Sequence, residues 1–292
     1  MKTAIVILNY NDSENTIKFV NDIKEYSTLD TIVVVDNNSI KENEFTKLKN
    51  LQSDKIHVIK SDKNGGYAYG NNYGLKYIEK LGIYDFVIIS NPDVAVKEEA
   101  IKECVEFLKN NNEAAIVTPR MHFVSGPARR AAWKKRTIGI DMASSTRFTE
   151  ALFYPVFKKG EYSKKEYENN VLEVDVVAGA FFVAKFSILK KIGYFDENTF
   201  LFYEEDIIGD KVKKAGFKIY LLNDISFMHY DSQTIGKLMK TIKKIEILFD
   251  SKIYYHKTYH NANRFQIRIF KMLREIRKFE VFITNLFKKH WL

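Results

Sequence analysis

An apolar run that ends in an aspartate behind a proline is the most informative stretch of this chain. Phe86 to Ile89 form the run, and Asn91-Pro92-Asp93 follows it. Such a run is typical of a strand in a parallel sheet that is covered on both faces. Ligands collect at the carboxyl ends of these strands, so Asp93 is well placed to hold Mg2+ or Mn2+ against a diphosphate. Because Asn-Pro-Asp is also good turn chemistry, this motif alone leaves a plain turn equally open.

Two earlier predicted strands also end in polar side chains. The first runs into Asn9-Tyr10-Asn11, and the second into Asp36-Asn37-Asn38. An aspartate at this edge can accept the imide N–H of uracil or thymine, and Tyr10 can stack on the base. An ordinary exit into an Asn-rich turn is the simpler reading of Asp36 and Asn38 if no later strand repeats the pattern. No GxGxxG follows the first strand, which argues against a dinucleotide site of the Rossmann type.

The third predicted strand leads into a glycine-rich start of a helix. The loop contains Asn64, Gly65 and Gly66, and Asn71 follows within the helix. Backbone N–H groups and the helix dipole make such a start attractive to a phosphate or a nucleoside. The loop lacks the Lys-Ser/Thr ending of a Walker A motif and is weak evidence alone. Three successive strands that end in ligand chemistry form a stronger signal.

The later part of the chain offers an acidic cluster and a histidine. Glu204, Glu205 and Asp206 precede a predicted helix, where acidic residues are favoured as caps. A carboxylate in a partly apolar pocket can also act as a general base toward a hydroxyl, and both roles can hold at once. His229 follows a predicted strand. A lone histidine there is more often structural, but its nearness in sequence to the acidic cluster makes a contact to metal or diphosphate plausible.

Strands and helices alternate over most of the chain. Strand-like runs lie at residues 3–9, 30–36, 56–60, 84–90 and 115–119, and helical spacing appears at 14–26, 67–81 and 98–111. This order predicts βαβ units and a mainly parallel sheet. A strand is expected again at 174–183 with Gly179 in its middle, then a helix at about 206–215 and a strand at 218–222.

Two segments depart from this rhythm. Residues 120–170 combine Gly126-Pro127, a basic cluster and several aromatics, as expected of a long loop that covers a binding site. The cluster comprises Arg129, Arg130, Lys134, Lys135 and Arg136; the aromatics are Trp133, Phe148, Phe153, Tyr154 and Phe157. From Lys237 onward the pattern is helical and basic. We therefore predict a main domain at residues 1–235 and a basic amphipathic helical extension at 236–292.

Composition narrows the functional classes. The net charge of +9 resides in the extension, which carries 14 Lys or Arg and 4 Asp or Glu, so it does not indicate nucleic acid binding by the main domain. Cys104 is the only cysteine, which excludes a disulfide within the chain and a cysteine zinc site. No apolar stretch approaches a signal peptide or a membrane span. These features predict a cytoplasmic protein, soluble or peripheral on the inner face of the membrane.

Taken in order, the motifs resemble the family 2 inverting glycosyltransferases, in particular the bacterial branch with rhamnosyltransferases and other enzymes of capsule and O-antigen polysaccharide synthesis. The match runs from Ile5 to about Ser232. Its pieces are Ile7 to Asn11, Val34 to Ser39, Asn64 to Gly74, Asn91 to Val94, Gly179-Ala180, Gly193 to Glu197 and Glu204 to Asp206. Asn91 replaces the first acid of the commoner Asp-x-Asp motif, and Ile208 stands where many relatives have a further acid.

The resemblance implies a GT-A type, Rossmann-like nucleotide-sugar-binding fold with one mixed, mainly parallel sheet. It further implies a nucleoside pocket formed by Tyr10, Asp36, Asn38, Asn64, Gly65, Gly66 and Asn71, with Asn91 in the donor-binding motif. Asp93 would be the ligand of Mn2+ or Mg2+, and His229 a further contact to metal or diphosphate. Asp206 would be the catalytic base, with Glu205 orienting the acceptor or the base.

The same resemblance implies a UDP- or dTDP-linked sugar as donor and a growing glycan as acceptor, carried on a lipid such as a polyprenyl diphosphate. Basic helices bearing Phe265, Phe270, Phe279, Phe282, Phe287 and Trp291 would suit an anionic membrane surface. Those apolar faces are equally suited to packing on the main domain or to forming a homodimer.

Two other functional classes stay open at this point. A sugar-1-phosphate nucleotidyltransferase would share the strand order and the metal chemistry, but it would be expected to carry a glycine-rich N-terminal loop ending in Arg and Lys. Asn9-Tyr10-Asn11-Asp12 offers none. A catalytically inactive scaffold at the membrane surface is the other alternative, and the presence of Asp93, Asp206 and His229 together argues against it.

Overall fold

The structure is a computed structural model that describes residues 1–123, 131–230 and 241–289, apart from the side chains of residues 157 and 285–289. The predicted features at Gly126-Pro127, Arg129, Arg130, Lys237 and Trp291, and the side chains of Phe157 and Phe287, lie outside this description.

The strands confirm the predicted β-rich runs with small changes of boundary. In chain order they are β1 (Thr3–Asn9), β2 (Thr31–Asp36), β3 (Ile56–Lys60), β4 (Phe86–Ser90), β5 (Val94–Val96), β6 (Ala114–Phe123), β7 (Ala132–Trp133), β8 (Val171–Val174), β9 (Val176–Val177), β10 (Phe181–Lys185) and β11 (Lys218–His229). The strand expected at 174–183 is divided into three, because β9 pairs with β7 in a separate two-stranded sheet and the chain turns at Gly179 before β10. The strand expected at 218–222 continues to His229.

The helices in chain order are α1 (Ser13–Ile23), α2 (Glu44–Lys49), α3 (Tyr67–Leu81), α4 (Glu98–Asn110), α5 (Ile138–Ala143), α6 (Arg147–Leu152), α7 (Tyr154–Lys158), α8 (Phe186–Lys191), α9 (Glu204–Lys214), α10 (Thr241–Tyr259) and α11 (Arg264–Lys289). The predicted helix at 67–81 is confirmed to the residue. The short helices α2 and α8 escaped the sequence pattern, because six residues are too few to display a helical period.

One mixed sheet organises the fold. Its strand order is β3-β2-β1-β4-β10-β6-β11-β5, and β8 pairs with β11 outside this order. Strands β3, β2, β1 and β4 are parallel, as are β6 and β11, whereas β10 runs antiparallel to both of its neighbours. The apolar runs of β1, β2 and β4 are buried on both faces. The predicted α/β class with a mainly parallel sheet is confirmed.

An irregularity in β11 directs the end of that strand toward the motif after β4. Residues 219–222 pair with β6 in one register, and the pairing resumes in another at Ser226. Beyond the shift β11 also pairs antiparallel with β5, which sets His229 opposite Val94. The extra residues between the two registers form a bulge, a common means of re-aiming a strand near a site.

The helices α10 and α11 pack on each other and on the main body. Phe249 and Tyr255 of α10 are fully buried, as is Phe270 of α11. Tyr254 and Tyr259 of α10 donate hydrogen bonds to Oδ2 of Asp196 at 2.7 and 2.6 Å. Of the three placements left open by the sequence, packing on the main domain therefore occurs. No helix among the described residues is long and apolar enough to cross a bilayer.

Candidate active site

The backbone at Gly179 and Ala180 joins the three motifs that the sequence singled out. The carbonyl of Ala180 accepts a hydrogen bond from the Asn91 N–H at 2.9 Å. The Gly179 N–H donates to Oε1 of Glu205 at 3.1 Å, and the Gly179 carbonyl accepts from the Tyr67 hydroxyl at 2.6 Å. A Cβ on Gly179 would lie 2.5 Å from Oε1 of Glu205 and 2.7 Å from the Tyr67 oxygen, so a side chain at this position would displace both groups.

Asp93 and His229 meet beside this segment. Nε2 of His229 lies 3.2 Å from Oδ1 of Asp93, and both side chains are mostly buried. The Tyr230 N–H donates to the Asp93 carbonyl at 2.8 Å, which extends the β5–β11 pairing to the motif itself. Nδ1 of His229 is buried without a hydrogen-bond partner in the described chain. The ring packs edge-on against Phe123.

This pair fits a divalent cation that is shared with a phosphate ligand. A carboxylate oxygen and an imidazole nitrogen are both accepted by Mn2+, and the carboxylate alone suits Mg2+. Among the described residues no group of three His, Cys, Asp or Glu side chains is close enough to hold a metal alone. Oxygens from a bound diphosphate would therefore complete the coordination, as is usual where Mg2+ is held by few carboxylates and substrate phosphates.

The glycine-rich loop before α3 is held tightly in place. Oδ1 of Asn64 accepts from the Gly66 N–H and from Nδ2 of Asn37, both at 3.1 Å. Gly66 has φ +91°, and a Cβ there would lie 1.9 Å from the Phe200 carbonyl oxygen. The loop therefore requires glycine at this position, both for its backbone conformation and for the close approach of the segment that precedes α9.

Asp36, which is predicted to contact a base, is hydrogen-bonded to the ends of the neighbouring strands. Its side chain is fully buried, Oδ1 accepts from Nδ2 of Asn9 at 3.0 Å, and Oδ2 accepts from the Ser39 N–H at 3.3 Å. Asn9 also accepts from the Thr16 hydroxyl at 2.9 Å. In this conformation the carboxylate orders the strand ends instead of facing open space, because a buried polar group must be hydrogen-bonded.

The other predicted pocket residues occupy different depths. Tyr10, Asn38, Asn64, Gly65 and Asn91 are half-buried around the strand ends. Asn38 has φ 55°, a left-handed backbone that asparagine tolerates well. Asn71 is fully buried inside α3, where Nδ2 donates to the Tyr67 carbonyl and Oδ1 has no partner in the described chain. Asn71 therefore faces the interior and supports the loop from below.

The start of α9 is strained and carries buried carboxylates. Phe202 and Tyr203 both have positive φ, 75° and 71°, which costs of order 1–3 kcal/mol per residue. Glu204 is almost fully buried. Its burial, and to a lesser extent the charge of the neighbouring Glu205, raises its pKa well above the ordinary value. Burial also raises the pKa of Glu205, which holds the Gly179 N–H. Such strain is maintained only where the surrounding structure enforces it.

Asp206 has the environment of a general base near neutral pH. Burial raises its pKa to about 7, although Arg136 and the Trp133 indole act to lower it. Nε1 of Trp133 donates to Oδ1 at 3.0 Å, and Nε of Arg136 lies 3.5 Å from the same oxygen. No side chain of the described residues donates to Oδ2. Oδ1 is thus held by two groups, whereas Oδ2 carries no such contact.

Sequence reasoning missed the partners that surround Asp206. Trp133 and Arg136 were noticed only as members of the loop at 120–170, and Tyr203 is the residue that directly precedes the acidic cluster. Asp141 of α5, with Lys252 and His256 of α10, carried no signal at all. These residues are brought together by helix packing, so no local pattern could have found them.

Two curated proteins resemble this chain in sequence. The low-salt glycan biosynthesis hexosyltransferase Agl10 of Haloferax volcanii is 31% identical over 204 residues, which cover 69% of this chain and 58% of the relative. The dTDP-rhamnosyl transferase RfbF of Shigella flexneri is 24% identical over 264 residues, which cover 88% of this chain and 77% of the relative. The chain therefore spans less than two thirds of the length of Agl10.

Among solved structures, the mannosyltransferase PcManGT from Pyrobaculum calidifontis, in complex with GDP-Man and Mn2+, superposes with a TM-score of 0.58 at 13% identity. The similarity covers 93% of this chain and 73% of that structure. At this identity the likeness shows the fold, and it confirms the expected GT-A type. The comparisons identify the family and do not single out its rhamnosyltransferase branch. Residues 4–193, more than half of the chain, match the family described as Glycosyl transferase family 2, and the chain belongs to that family.

Proposed function

We propose that this protein is an inverting, metal-dependent glycosyltransferase that moves a sugar from a UDP- or dTDP-linked donor to a hydroxyl of a glycan acceptor. The observation that carries the proposal is the convergence at Gly179 and Ala180. Two adjacent residues there bind the Asn91 backbone beside Asp93 and the Glu205 carboxylate beside Asp206. A donor-diphosphate site and a base are thereby held next to each other.

In this proposal Asp93 and His229 hold Mn2+ or Mg2+ against the diphosphate of the donor. When bound, the cation supplies positive charge opposite the departing diphosphate. Tyr10 and Asn38 line the nucleoside pocket with the loop at Asn64, Gly65 and Gly66. Asp36 and Asn71 support that pocket from beneath, because both are buried.

Asp206 acts as the base through its free oxygen, Oδ2. It removes the proton of the acceptor hydroxyl, whose oxygen then attacks the anomeric carbon while the bond from that carbon to the diphosphate oxygen breaks. Attack from the face opposite the leaving group inverts the anomeric centre. A pKa of about 7 suits this step, because a base works best when its pKa lies near the working pH. Glu205 orients the site by holding Gly179.

The first experiment is calorimetric binding of UDP, dTDP, GDP and NAD to the purified protein, each with Mn2+ and again with EDTA. The proposal expects UDP or dTDP to bind only with metal, and the preferred nucleotide then directs the screen of donor sugars. Binding of a sugar 1-phosphate together with a nucleoside triphosphate would favour a nucleotidyltransferase. Absence of binding by every nucleotide would contradict the proposal and favour the scaffold.

We further propose that the acceptor is lipid-linked and that the protein meets it at an anionic membrane surface, in surface polysaccharide synthesis. Support comes from an exposed apolar stripe on α11, formed by Phe265, Met272, Phe279 and Phe282, which recur at helical spacing and are 56–69% exposed. The opposite face of α11, with Phe270 and Leu273, is buried. Of the phenylalanines that the sequence suggested for membrane contact, only those on this exposed stripe keep that role in the proposal.

The stripe continues onto α6. Oε2 and Oε1 of Glu280 accept from the Arg147 and Phe148 N–H groups at 3.1 Å each, so α11 is attached to the first turn of α6. Phe148 and Leu152 of α6 are exposed as well. Basic residues flank the stripe along α11, and their charge is complementary to anionic lipid headgroups. These basic side chains are Arg264, Arg268 and Lys271, all of which are exposed.

The division of the chain at residue 235 into a catalytic domain and an extension stays a proposal, as does a homodimer built on the same stripe. Ser251 of α10 donates to the Leu201 carbonyl at 2.8 Å, and Lys252 and His256 contact α5. We therefore propose that the extension is docked on the catalytic domain through α10, while α11 presents the stripe.

A further inference from the structure

Arg136 bridges two buried carboxylates, one of which is the proposed base. Its Nε lies 3.5 Å from Oδ1 of Asp206, and its NH1 donates to Oδ1 of Asp141 at 3.2 Å. The guanidinium also lies against the rings of Trp133 and Tyr203. Burial alone would lower the pKa of Arg136. Nearby negative charges, of which Asp206 has the largest effect, instead raise this pKa above its ordinary value, so the guanidinium stays cationic.

Asp141 is itself held from several sides. Its Oδ2 accepts from the Tyr203 hydroxyl at 2.6 Å and lies 2.7 Å from Nε2 of His256. Because an ionised carboxylate carries no proton, Nε2 of His256 must be the donor. Lys252 lies 3.4 Å from the Asp141 carbonyl oxygen and donates to Ser145 Oγ at 2.9 Å. Two side chains of α10 thus fix the residue that anchors Arg136.

A second contact holds the same loop one helical turn further along α9. Nζ of Lys135, the neighbour of Arg136, lies 2.6 Å from Oδ1 of Asp210. Nε2 of His260, the residue after α10, lies 2.9 Å from Oδ2 of the same carboxylate. Asp206 and Asp210 are four residues apart on one face of α9, so the loop is fastened at two successive turns.

We propose that Arg136 is the positioning residue of Asp206: anchored on Asp141, it fixes one carboxylate oxygen and keeps the group ionised so that the other oxygen faces the acceptor. This inference rests on the proposed function, in which Asp206 is the base. The planar guanidinium can hold two carboxylates at once, which a lysine ammonium on a flexible stem cannot reproduce in the same geometry. The extension therefore contributes to the active site through α10, which holds Asp141.

Several charged or titratable groups face Asp206 from the surrounding elements. They are Arg136 from the loop after β7, Asp141 from α5, Tyr203 and Glu205 from the start of α9, and Lys252 and Tyr255 from α10. Arg136 is the largest influence that opposes the effect of burial. Loss of its charge should therefore move the titration of Asp206 to higher pH, by about 1–3 pH units for an ion pair at this distance.

The test uses Trp133 as an internal reporter, since its indole N–H donates to Asp206. The chain has two tryptophans, so nitrogen-15 indole spectra contain two signals, and Trp291→Phe assigns them. We expect the Trp133 signal to titrate near pH 7 in the wild type and at least about one pH unit higher in Arg136→Met. Arg136→Lys should fall between the two. Arg274→Met on α11, which removes a surface arginine, is the matched control and should titrate as the wild type.

An unchanged midpoint in a folded Arg136→Met protein would overturn the proposal, and the spectrum itself reports whether the protein is folded. The measurement needs no substrate, so it stands even if the wild type transfers no sugar, an outcome that would count against the proposed function alone. Where transfer is measured, the acid limb of kcat/KM should move with the indole midpoint. At pH 7 this corresponds to a rate about 5–500-fold lower, with recovery at alkaline pH. An arginine with a purely structural role would lower the rate equally at every pH.

Discussion

Nε2 of His229 lies 3.2 Å from Oδ1 of Asp93, although one residue follows β4 and the other ends β11. Their meeting depends on pairing between β5 and the last residues of β11, which sets His229 opposite Val94. A shift of this register by one residue would turn the imidazole to the other face of the sheet. The proposed metal site is therefore a consequence of strand pairing.

Replacing either partner should weaken metal-dependent nucleotide binding. We expect Asp93→Ala and His229→Ala each to lower the affinity for UDP or dTDP with Mn2+ by at least about 10–100-fold. Mutation of a residue that only hydrogen-bonds to a metal ligand already lowers metal affinity by this factor. Binding with EDTA should hardly change. Calorimetry measures both. Asp85→Asn, at the opposite end of β4 where the carboxylate accepts from the Lys2 N–H, is the control. Wild-type affinity in both alanine variants would refute the site.

Asp206→Asn should abolish transfer and spare nucleotide binding. The amide cannot accept the acceptor proton, so we expect kcat to fall by about 10²–10⁴-fold. Initial rates of sugar transfer and calorimetric nucleotide binding should be measured on the same preparation. Asp250→Asn, an exposed residue of α10, should leave both quantities unchanged. Retention of full activity by Asp206→Asn would remove this residue from the mechanism.

The same substitution should stabilise the fold at alkaline pH. Burial raises the pKa of Asp206 from 3.8 to about 7, so between these values the folded state binds more protons than the unfolded state. Stability from this group is therefore greatest at low pH and is lost as the pH rises toward about 7. At pH 8 we expect Asp206→Asn to unfold at a higher temperature than the wild type, with a free energy of unfolding larger by at most about 4 kcal/mol. Near pH 4 this difference in stability should disappear. If the variant and the wild type had equal melting temperatures at both pH values, burial of the ionised Asp206 carboxylate would not destabilise the fold.

Two glycine substitutions should have opposite effects. In Gly66→Ala the left-handed backbone costs about 1–2 kcal/mol, and the clash with the Phe200 carbonyl adds to it, so both the melting temperature and nucleotide affinity should fall. Gly139→Ala meets no atom within 4 Å and lies in α5, where alanine is favoured by about 0.5–1 kcal/mol. Thermal unfolding and calorimetry compare the two variants. If Gly66→Ala had the same melting temperature and nucleotide affinity as Gly139→Ala, the loop before α3 would not require glycine at position 66.

Removal of the apolar stripe should release the protein from anionic membranes. The double variant Phe279→Ser with Phe282→Ser should lose most cosedimentation with phosphatidylglycerol vesicles, because two exposed aromatic side chains no longer insert, while transfer to a soluble acceptor should persist. Ile83→Ser, at a strongly exposed apolar residue outside the stripe, is the matched control. A different result would assign the stripe to self-association: the wild type does not bind these vesicles and elutes as a dimer, whereas the double variant elutes as a monomer.

The order of elements and the location of the site could be predicted from the sequence. The apolar runs of β1, β2 and β4 specify buried strands, because a strand covered on both faces has no polar alternation. Asn91-Pro92-Asp93 and the glycines before α3 mark strand exits through local backbone chemistry. These signals depend on neighbouring residues, so they are legible without the fold.

The depth and partners of individual side chains were decided by the tertiary structure. The hydrogen bonds that Asp36 accepts from Asn9 and Ser39 could not be predicted, since sequence does not state which polar groups bond to each other. Arg136 gained its place between Asp141 and Asp206 only because α5, α9 and the loop after β7 pack together. The titration of Asp206 follows from that packing, as burial and its partners set the pKa.

By itself the sequence determined an α/β fold, and it predicted a site at the carboxyl ends of the parallel strands with the residue types that the proposed chemistry needs. It did so because hydrophobic period, turn residues and strand exits are local properties of the chain. Only the tertiary structure decided that His229 reaches Asp93, that Gly179 contacts the start of α9 and that α10 holds Asp141. Those relationships depend on strand register and helix packing between distant segments, which local pattern cannot encode.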